Sequence, residues 1–391
     1  MPALPSLSGH TLRNLLAALL ILSIAISAVL AVSASTAFGT IDFAQYWSAA
    51  HLLIHGEPPY DPERLKTVQV LHSKFHAQHN ALVQIWNPPT IFPIILPLAA
   101  FPYTAAVSLW ILLSFAILVV CYQLLHAIYN QQISLALSRK NLLSLALLLS
   151  FYPTYLSIHY GQIAPVLLLG VTLYIFLQHR QREFLAGLVL ALTTIKPHLF
   201  FLLYLLLTLS AVTHRKWRAL TGFILGTGCL ITVALLLRPT SLSEYYTLIS
   251  TPPLYWQTPT LGSWLQPYID PPQLGRYLPS LIAAISFIVW WFVRAQESYT
   301  SSLVYLVLPL SLVCSPYGWV YDQMILFPAI MFLTQARDHL FVYLALFTHM
   351  GFFLSGNIGQ QYFVWYPLVL VTLIALGWSS QKQDIQSFSD H

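Results

Sequence analysis

Long apolar runs, separated by short segments that are basic or rich in aromatic residues, set the pattern of this chain. Runs such as 15–32 and 105–125 are continuous and lack the strict alternation of barrel strands. Lipid cannot satisfy backbone N–H and C=O groups, so such runs must close their hydrogen bonds internally, as helices. Others cover 142–158, 163–177, 184–212, 219–237, 277–293, 303–313, 324–334, 340–354 and 362–378. The 184–212 run is interrupted at Lys196-Pro197-His198, which predicts a hairpin of two short helices with its tip there. Residues 91–101 fall short of the roughly 20 needed to span a bilayer. They form a short re-entrant piece or open the next span with a kink at Pro97 or Pro102. With the broken runs included, the pattern predicts an all-α polytopic membrane protein with about 12 transmembrane helices and both ends cytoplasmic. It is organised as a single domain over residues 1–391.

Two connecting segments are long, 36–88 and 238–277. In the first, Phe43, Tyr46, Trp47, Ala50, Leu53 and Ile54 fall at helical spacing, with Asp42, Gln45 and Ser48 on another face. Gly56-Glu57-Pro58-Pro59-Tyr60 ends that helix. Asp61-Pro62-Glu63 then signals a new start: a capping Asp, a Pro in the first turn and an acid near the dipole. Leu65, Val68, Leu71 and Phe75 make an apolar stripe. Two amphipathic helices lying on the membrane face account for this loop. The second loop is rich in Pro, Tyr and Trp.

Composition supports the membrane reading. Of the 391 residues 57% are hydrophobic and 7% charged, and mean hydropathy is +0.70. The charge of +5 arises mostly in short loops, so it speaks of topology and not of nucleic acid. In the predicted topology eleven of the seventeen Lys and Arg fall on the cytoplasmic side, although the outer loops are much longer. This predicts a multi-pass protein of a bacterial-type inner membrane. Cys121, Cys229 and Cys314 lie in or beside apolar runs without paired spacing and suggest neither a disulfide framework nor a metal site.

The same topology delivers nearly every unusual polar cluster to the outer side, facing periplasm or exterior. These are Asp42, the turn His159-Tyr160-Gly161-Gln162, Lys196-Pro197-His198, the second loop, the segment 317–322 and the turn 357–361. Polar turns gathered on one side of short, proline-broken helices suit a site at the membrane–water boundary. Three roles are open to Asp42: general base, helix cap or solvated loop residue. Lys196, between apolar runs, calls for an anionic partner, either a ligand or a carboxylate such as Asp322. His198 is a candidate phosphate ligand or a structural histidine. Arg276 and Arg238 flank the second loop as phosphate ligands or, more in keeping with their position, as interfacial anchors. Tyr46, Trp47, Trp86, Trp256, Trp264 and Trp319 can stack on sugars, although an aromatic belt explains most of them. His72, His76 and His79 share helical spacing, but with no carboxylate on that face they read as a solvated surface.

The string Asp42-Phe43-Ala44-Gln45-Tyr46-Trp47, with Gly56-Glu57-Pro58-Pro59-Tyr60-Asp61, Asn87-Pro88-Pro89 and Leu96-Pro97, resembles glycosyltransferase family 87. Gly161-Gln162, Ala186-Gly187, Lys196-Pro197 and Ser315-Pro316-Tyr317-Gly318-Trp319 continue the likeness, over roughly residues 35–335. The resemblance implies a GT-C fold and an inverting transfer from a polyprenyl-phosphate sugar, as in mannosyltransferases, to a lipid or glycan hydroxyl. It puts the base at Asp42 and needs no cofactor or metal. Donor-phosphate contacts are then expected from Lys196, His198 and Arg276. Substrate contacts are expected from Gln45, Tyr46, Trp47, Asn87, His159, Gln162, Trp319, Tyr321 and Asp322. Where those mannosyltransferases carry histidines after Ser-Pro-x-x-Trp, this chain has Tyr321 and Asp322. The alternative is a lipid-linked sugar or polyprenol transporter, since broken helices also mark transport sites.

Overall fold

The computed structural model describes residues 41–130, 151–294, 303–336 and 359–376. Among them all regular elements are helical. The first apolar run, the basic segments near Arg139 and Arg337, the first part of the 142–158 run, the whole 340–354 run and the C-terminal tail lie outside the described residues. The described chain forms two compact units. The first comprises 41–85, 95–130 and 158–162; the second comprises 86–94, 151–157, 163–294, 303–336 and 359–376.

In the first unit, helices α1 (Phe43–Ile54), α2 (Pro62–His72) and α3 (Lys74–His79) precede the long α4 (Tyr103–Asn130). The sequence predicts a surface-lying α1, but this helix is buried on nearly all sides, Gln45 and Ser48 included. Its aromatic residues explain why. Phe43 stacks on Trp110 of α4 at 5.7 Å, and Trp47 meets Tyr103 edge-on at 5.3 Å while its indole N–H donates to the Phe101 carbonyl at 3.1 Å. Such rings bury large apolar areas, and a polar tip finds a partner.

Helix α2 starts as expected, with the Asp61 carboxylate accepting from the Arg64 N–H at 2.9 Å and Pro62 in the first turn. Its buried face differs from the predicted stripe. Leu65 is buried, yet Leu71 is 75% exposed and Gln69 is buried instead. The Gln69 amide both donates to and accepts from the Val83 backbone, at 2.8 and 2.9 Å, which ties the loop's return strand of chain to α2. The helix ends at Ser73, so the spacing of His72, His76 and His79 crosses a break. His76 is not part of a solvated surface: it is buried, with Nδ1 2.8 Å from Ser73 Oγ, and burial, aided by nearby His79, pushes its pKa down to about 4.

The 89–100 segment is a separate short piece made of a 3₁₀ turn at Pro89–Ile91, one α turn at Phe92–Ile95 and a 3₁₀ turn at Leu96–Ala100. Extended Phe101 separates it from α4, so it does not open that span. Helix α5 (Tyr152–Tyr160) opens the next described stretch.

The second unit holds α6 (Ala164–His179), α7 (Glu183–Leu190), α8 (Phe201–His214), α9 (Trp217–Leu237), α10 (Ser241–Ile249), α11 (Leu261–Leu265), α12 (Pro272–Arg294), α13 (Leu303–Cys314) and α14 (Phe327–Ala336). A last apolar helical stretch covers Gln360–Leu376. The predicted break at Lys196 is present. A 3₁₀ turn at Ala191–Ile195 extends α7, Lys196 takes a non-helical conformation, and a 3₁₀ turn at Pro197–Phe200 leads into α8. Helix α7 packs against α9 through glycines. A Cβ on Gly187 would lie 1.8 Å from the Ala219 carbonyl oxygen, and one on Gly222 would lie 2.0 Å from that of Phe184. Small residues let apolar helices approach closely where burial from water supplies no drive.

Among the described residues four helical stretches are long and apolar enough to cross a membrane: Tyr103–Ile128, Pro197–His214, Trp217–Leu237 and Pro272–Val293. On α12, Leu281, Ile282, Ile285, Val289, Phe292 and Val293 are exposed. In water such a face would be a liability, and in lipid it is the expected surface. The chain is an all-α polytopic membrane protein.

Candidate functional residues

The first cluster lies at the start of α1. Asp42 occupies the N-cap position, but its side chain makes no cap hydrogen bond. The capping role left open by the sequence therefore does not hold. Instead Asp42 Oδ2 accepts from the Gln162 amide at 2.6 Å, and Gln162 Oε1 accepts from the Tyr46 hydroxyl at 2.9 Å. Tyr46, one turn along α1 from Asp42, and Gln162 are both buried, whereas Asp42 is half-buried. Two backbone ties hold the arrangement: the Asp42 N–H donates to the Tyr160 carbonyl at 2.9 Å, and the Trp110 indole donates to the Gly161 carbonyl at 3.1 Å. Gly161 has φ +73°, a left-handed conformation that glycine adopts at little cost and that turns the chain from α5 toward Gln162. A neutral amide thus orients a carboxylate at the edge of a buried polar chain. His159 stands in the same turn, half-buried and edge-on to Tyr160 at 5.1 Å. Gln45 is buried in α1, while the Trp47 ring is engaged with His51, His72 and Tyr103.

The second cluster is built around the break at Lys196. Its ammonium lies 2.8 Å from Asp322 Oδ1, with the side chains 11% and 1% exposed. Of the two partners the sequence allowed, a ligand or a carboxylate, the structure supplies the carboxylate. Asp322 Oδ2 also accepts from the Trp319 N–H at 2.9 Å, and Lys196 Nζ sits 5.0 Å above the Tyr321 ring. His198 is within electrostatic reach of both charges. Asn87 and Thr90 fix the backbone leading into Lys196: their side chains donate to the carbonyls of Ile195 and Thr194 at 3.0 and 3.1 Å. Asn87, expected to touch substrate, is buried and holds the break.

Arg276 is not the interfacial anchor its position suggested. It is 1% exposed, and its terminal nitrogens donate to the carbonyls of Leu254, Trp256 and Pro316 and to Thr258 Oγ1, over the Tyr317 ring at 4.7 Å. These contacts commit it to clamping the second loop onto the 316–317 turn. Three of the tryptophans gather in one place. Trp86, Trp256 and Trp319, from three separate segments, meet edge to face at 5.6 and 5.5 Å, and Trp319 lies nearly parallel to Tyr321 at 6.1 Å.

The sequence profile of glycosyltransferase family 87 matches residues 86–316. The chain belongs to glycosyltransferase family 87. It is a membrane glycosyltransferase. No curated protein and no solved structure matched the chain. Of the candidate residues, Asn87, His159, Gln162, Lys196, His198 and Arg276 lie within the matched span; Asp42, Gln45, Tyr46 and Trp47 precede it, and Trp319, Tyr321 and Asp322 follow it. Sequence reasoning did not single out Thr90, and it offered Trp86 and Trp256 as sugar-stacking or interfacial residues without joining them to each other. A Thr one position after Pro-Pro and two tryptophans in unrelated loops carry no periodic signal that would have joined them.

Proposed function

We propose that this family 87 glycosyltransferase moves a sugar, mannose or another hexose or pentose, from a polyprenyl-phosphate donor to a lipid or glycan hydroxyl. The reaction takes place at the outer face of a bacterial-type cell membrane. Asp42 accepts the proton of the acceptor hydroxyl as that oxygen attacks C1. The C1–O bond to phosphate breaks, and its electron pair leaves with the phosphate, so the anomeric configuration inverts. No acid is needed for so good a leaving group.

The observation that carries the assignment is the chain Tyr46–Gln162–Asp42, which sets a half-buried carboxylate in a fixed direction. Fixed direction matters because a base must lie within hydrogen-bond reach of the proton it takes. In this scheme Arg276 holds the second loop instead of meeting phosphate, since its terminal nitrogens already donate to three carbonyls and to Thr258 Oγ1. His198 is the remaining candidate for a hydrogen bond to the donor phosphate. The test is to incubate purified protein with polyprenyl-phosphate-mannose, other polyprenyl-phosphate sugars and a panel of acceptors, beside Asp42→Asn. Transfer that disappears in the variant supports the reading. A folded Asp42→Asn enzyme with full transfer removes Asp42 as the base, and no transfer from any polyprenyl-phosphate sugar removes the donor class.

A further inference from the structure

We infer that the Lys196–Asp322 pair and the aromatic wall beside it form the subsite that grips the pyranose ring of the sugar, a neutral polyol, and not the donor's phosphate. The inference rests on the sugar-transfer reading and assigns to this cluster the task of telling one sugar from another.

Charge is the first argument. The ammonium and the carboxylate are 2.8 Å apart and nearly shielded from water, so together they are close to neutral. A phosphate drawn to Lys196 would bring its own negative charge beside Asp322, and like charges at such range repel strongly where water is excluded. Sugar hydroxyls are neutral and both donate and accept, so one that meets the 11%-exposed Lys196 ammonium brings no second charge beside Asp322.

The aromatic residues are the second. Trp86, Trp256 and Trp319 are each half-buried, and their edge-to-face contacts at 5.6 and 5.5 Å gather the three rings in one place. Tyr321 joins this wall to the ion pair, lying nearly parallel to Trp319 and beneath Lys196 Nζ. A pyranose has C–H faces that pack on indole and a rim of hydroxyls that needs polar partners. Sites for such ligands combine apolar walls with a few fixed polar groups. Preorganisation is the third argument. The Trp319 N–H fixes Asp322, and the Asn87 and Thr90 side chains fix the turn before Lys196, so little ordering is left for binding to impose.

The test uses the full-length protein in detergent or nanodiscs, with Trp256→Leu, Trp256→Phe and Asp322→Asn. Saturation-transfer NMR reads binding of methyl hexopyranosides and methyl pentopyranosides, and competition against the donor reads binding of polyprenyl phosphate alone. Sugar binding is expected to fall about 10-fold or more in Trp256→Leu and Asp322→Asn, and to be largely kept by Trp256→Phe. Polyprenyl phosphate binding should stay within about twofold of wild type in each, as expected for a ligand that leaves these groups untouched. If Asp322→Asn fails to fold because Lys196 loses its partner, Trp256→Leu at the half-buried wall still decides the matter. The inference is overturned if polyprenyl phosphate binding weakens about 10-fold while sugar binding holds. It is also overturned if the wild-type protein binds polyprenyl phosphate but shows no signal from any of the glycosides. An Asp42→Asn protein that loses transfer yet still binds the glycosides separates this question from that of the base.

Discussion

Asp42 and Asp322 are both carboxylates at the end of a helical element, yet their surroundings make different uses of them. Asp42 is half-buried and takes a hydrogen bond from a neutral amide, itself held by a tyrosine hydroxyl. Asp322 is 1% exposed and takes one hydrogen bond from a lysine ammonium and another from a backbone N–H. The amide at Asp42 serves to aim the carboxylate, and a base must point at the proton it takes. An ammonium at 2.8 Å ties the Asp322 carboxylate to structure or to recognition. The two clusters therefore divide in what each loses on substitution: activity at the first, stability and ligand selectivity at the second.

The strongest challenge to that division is Asp42→Asn. It is expected to lower transfer by about 10²–10⁴-fold with little change in thermal unfolding, because the amide is close in shape and the site is half-open. A large loss of stability would show that Asp42 is structural after all. The converse test is Lys196→Met, which leaves Asp322 buried without its cation and should cost about 3–5 kcal/mol of stability. The double variant Lys196→Met, Asp322→Leu should recover most of that by thermal unfolding, since an apolar pair needs no desolvation to be offset.

Within the first cluster, Gln162→Leu should reduce kcat by about 10- to 100-fold with a smaller change in KM, the sign of a base no longer held in place. Tyr46→Phe removes only the outer hydrogen bond and should cost about 1 kcal/mol, read as a several-fold fall in kcat. Equal effects from the two would show that the chain acts as one unit. The smallest effect concerns acid. His76, in the first unit, is buried with a folded pKa of about 4 against an ordinary value of 6.5. Protonation therefore opposes folding. The stability this group contributes is fully present above about pH 6.5 and is lost as pH falls toward 4. Hydrogen exchange at acid pH should show α2 and α3 loosening before the helices of the second unit, and His76→Gln should flatten the dependence.

Local chemistry in the chain was enough to call for helices in lipid, for a helix starting at Asp61-Pro62 and for a break at Lys196-Pro197. Each rests on hydropathy, on proline's missing N–H or on a cap three residues from its partner, all of which act over a few positions. The tertiary structure alone decided what those residues do. It set Gln162 against Asp42 from 120 positions away and Asp322 against Lys196 from 126. It also buried α1 where an amphipathic pattern predicted a surface, turned Arg276 inward onto carbonyls, and brought three tryptophans from separate loops to one wall. Periodicity records which side of a helix is apolar. It does not record which distant segment will satisfy a buried polar group, because that depends on the path of the whole chain and on how closely residues such as Gly187 and Gly222 let helices approach.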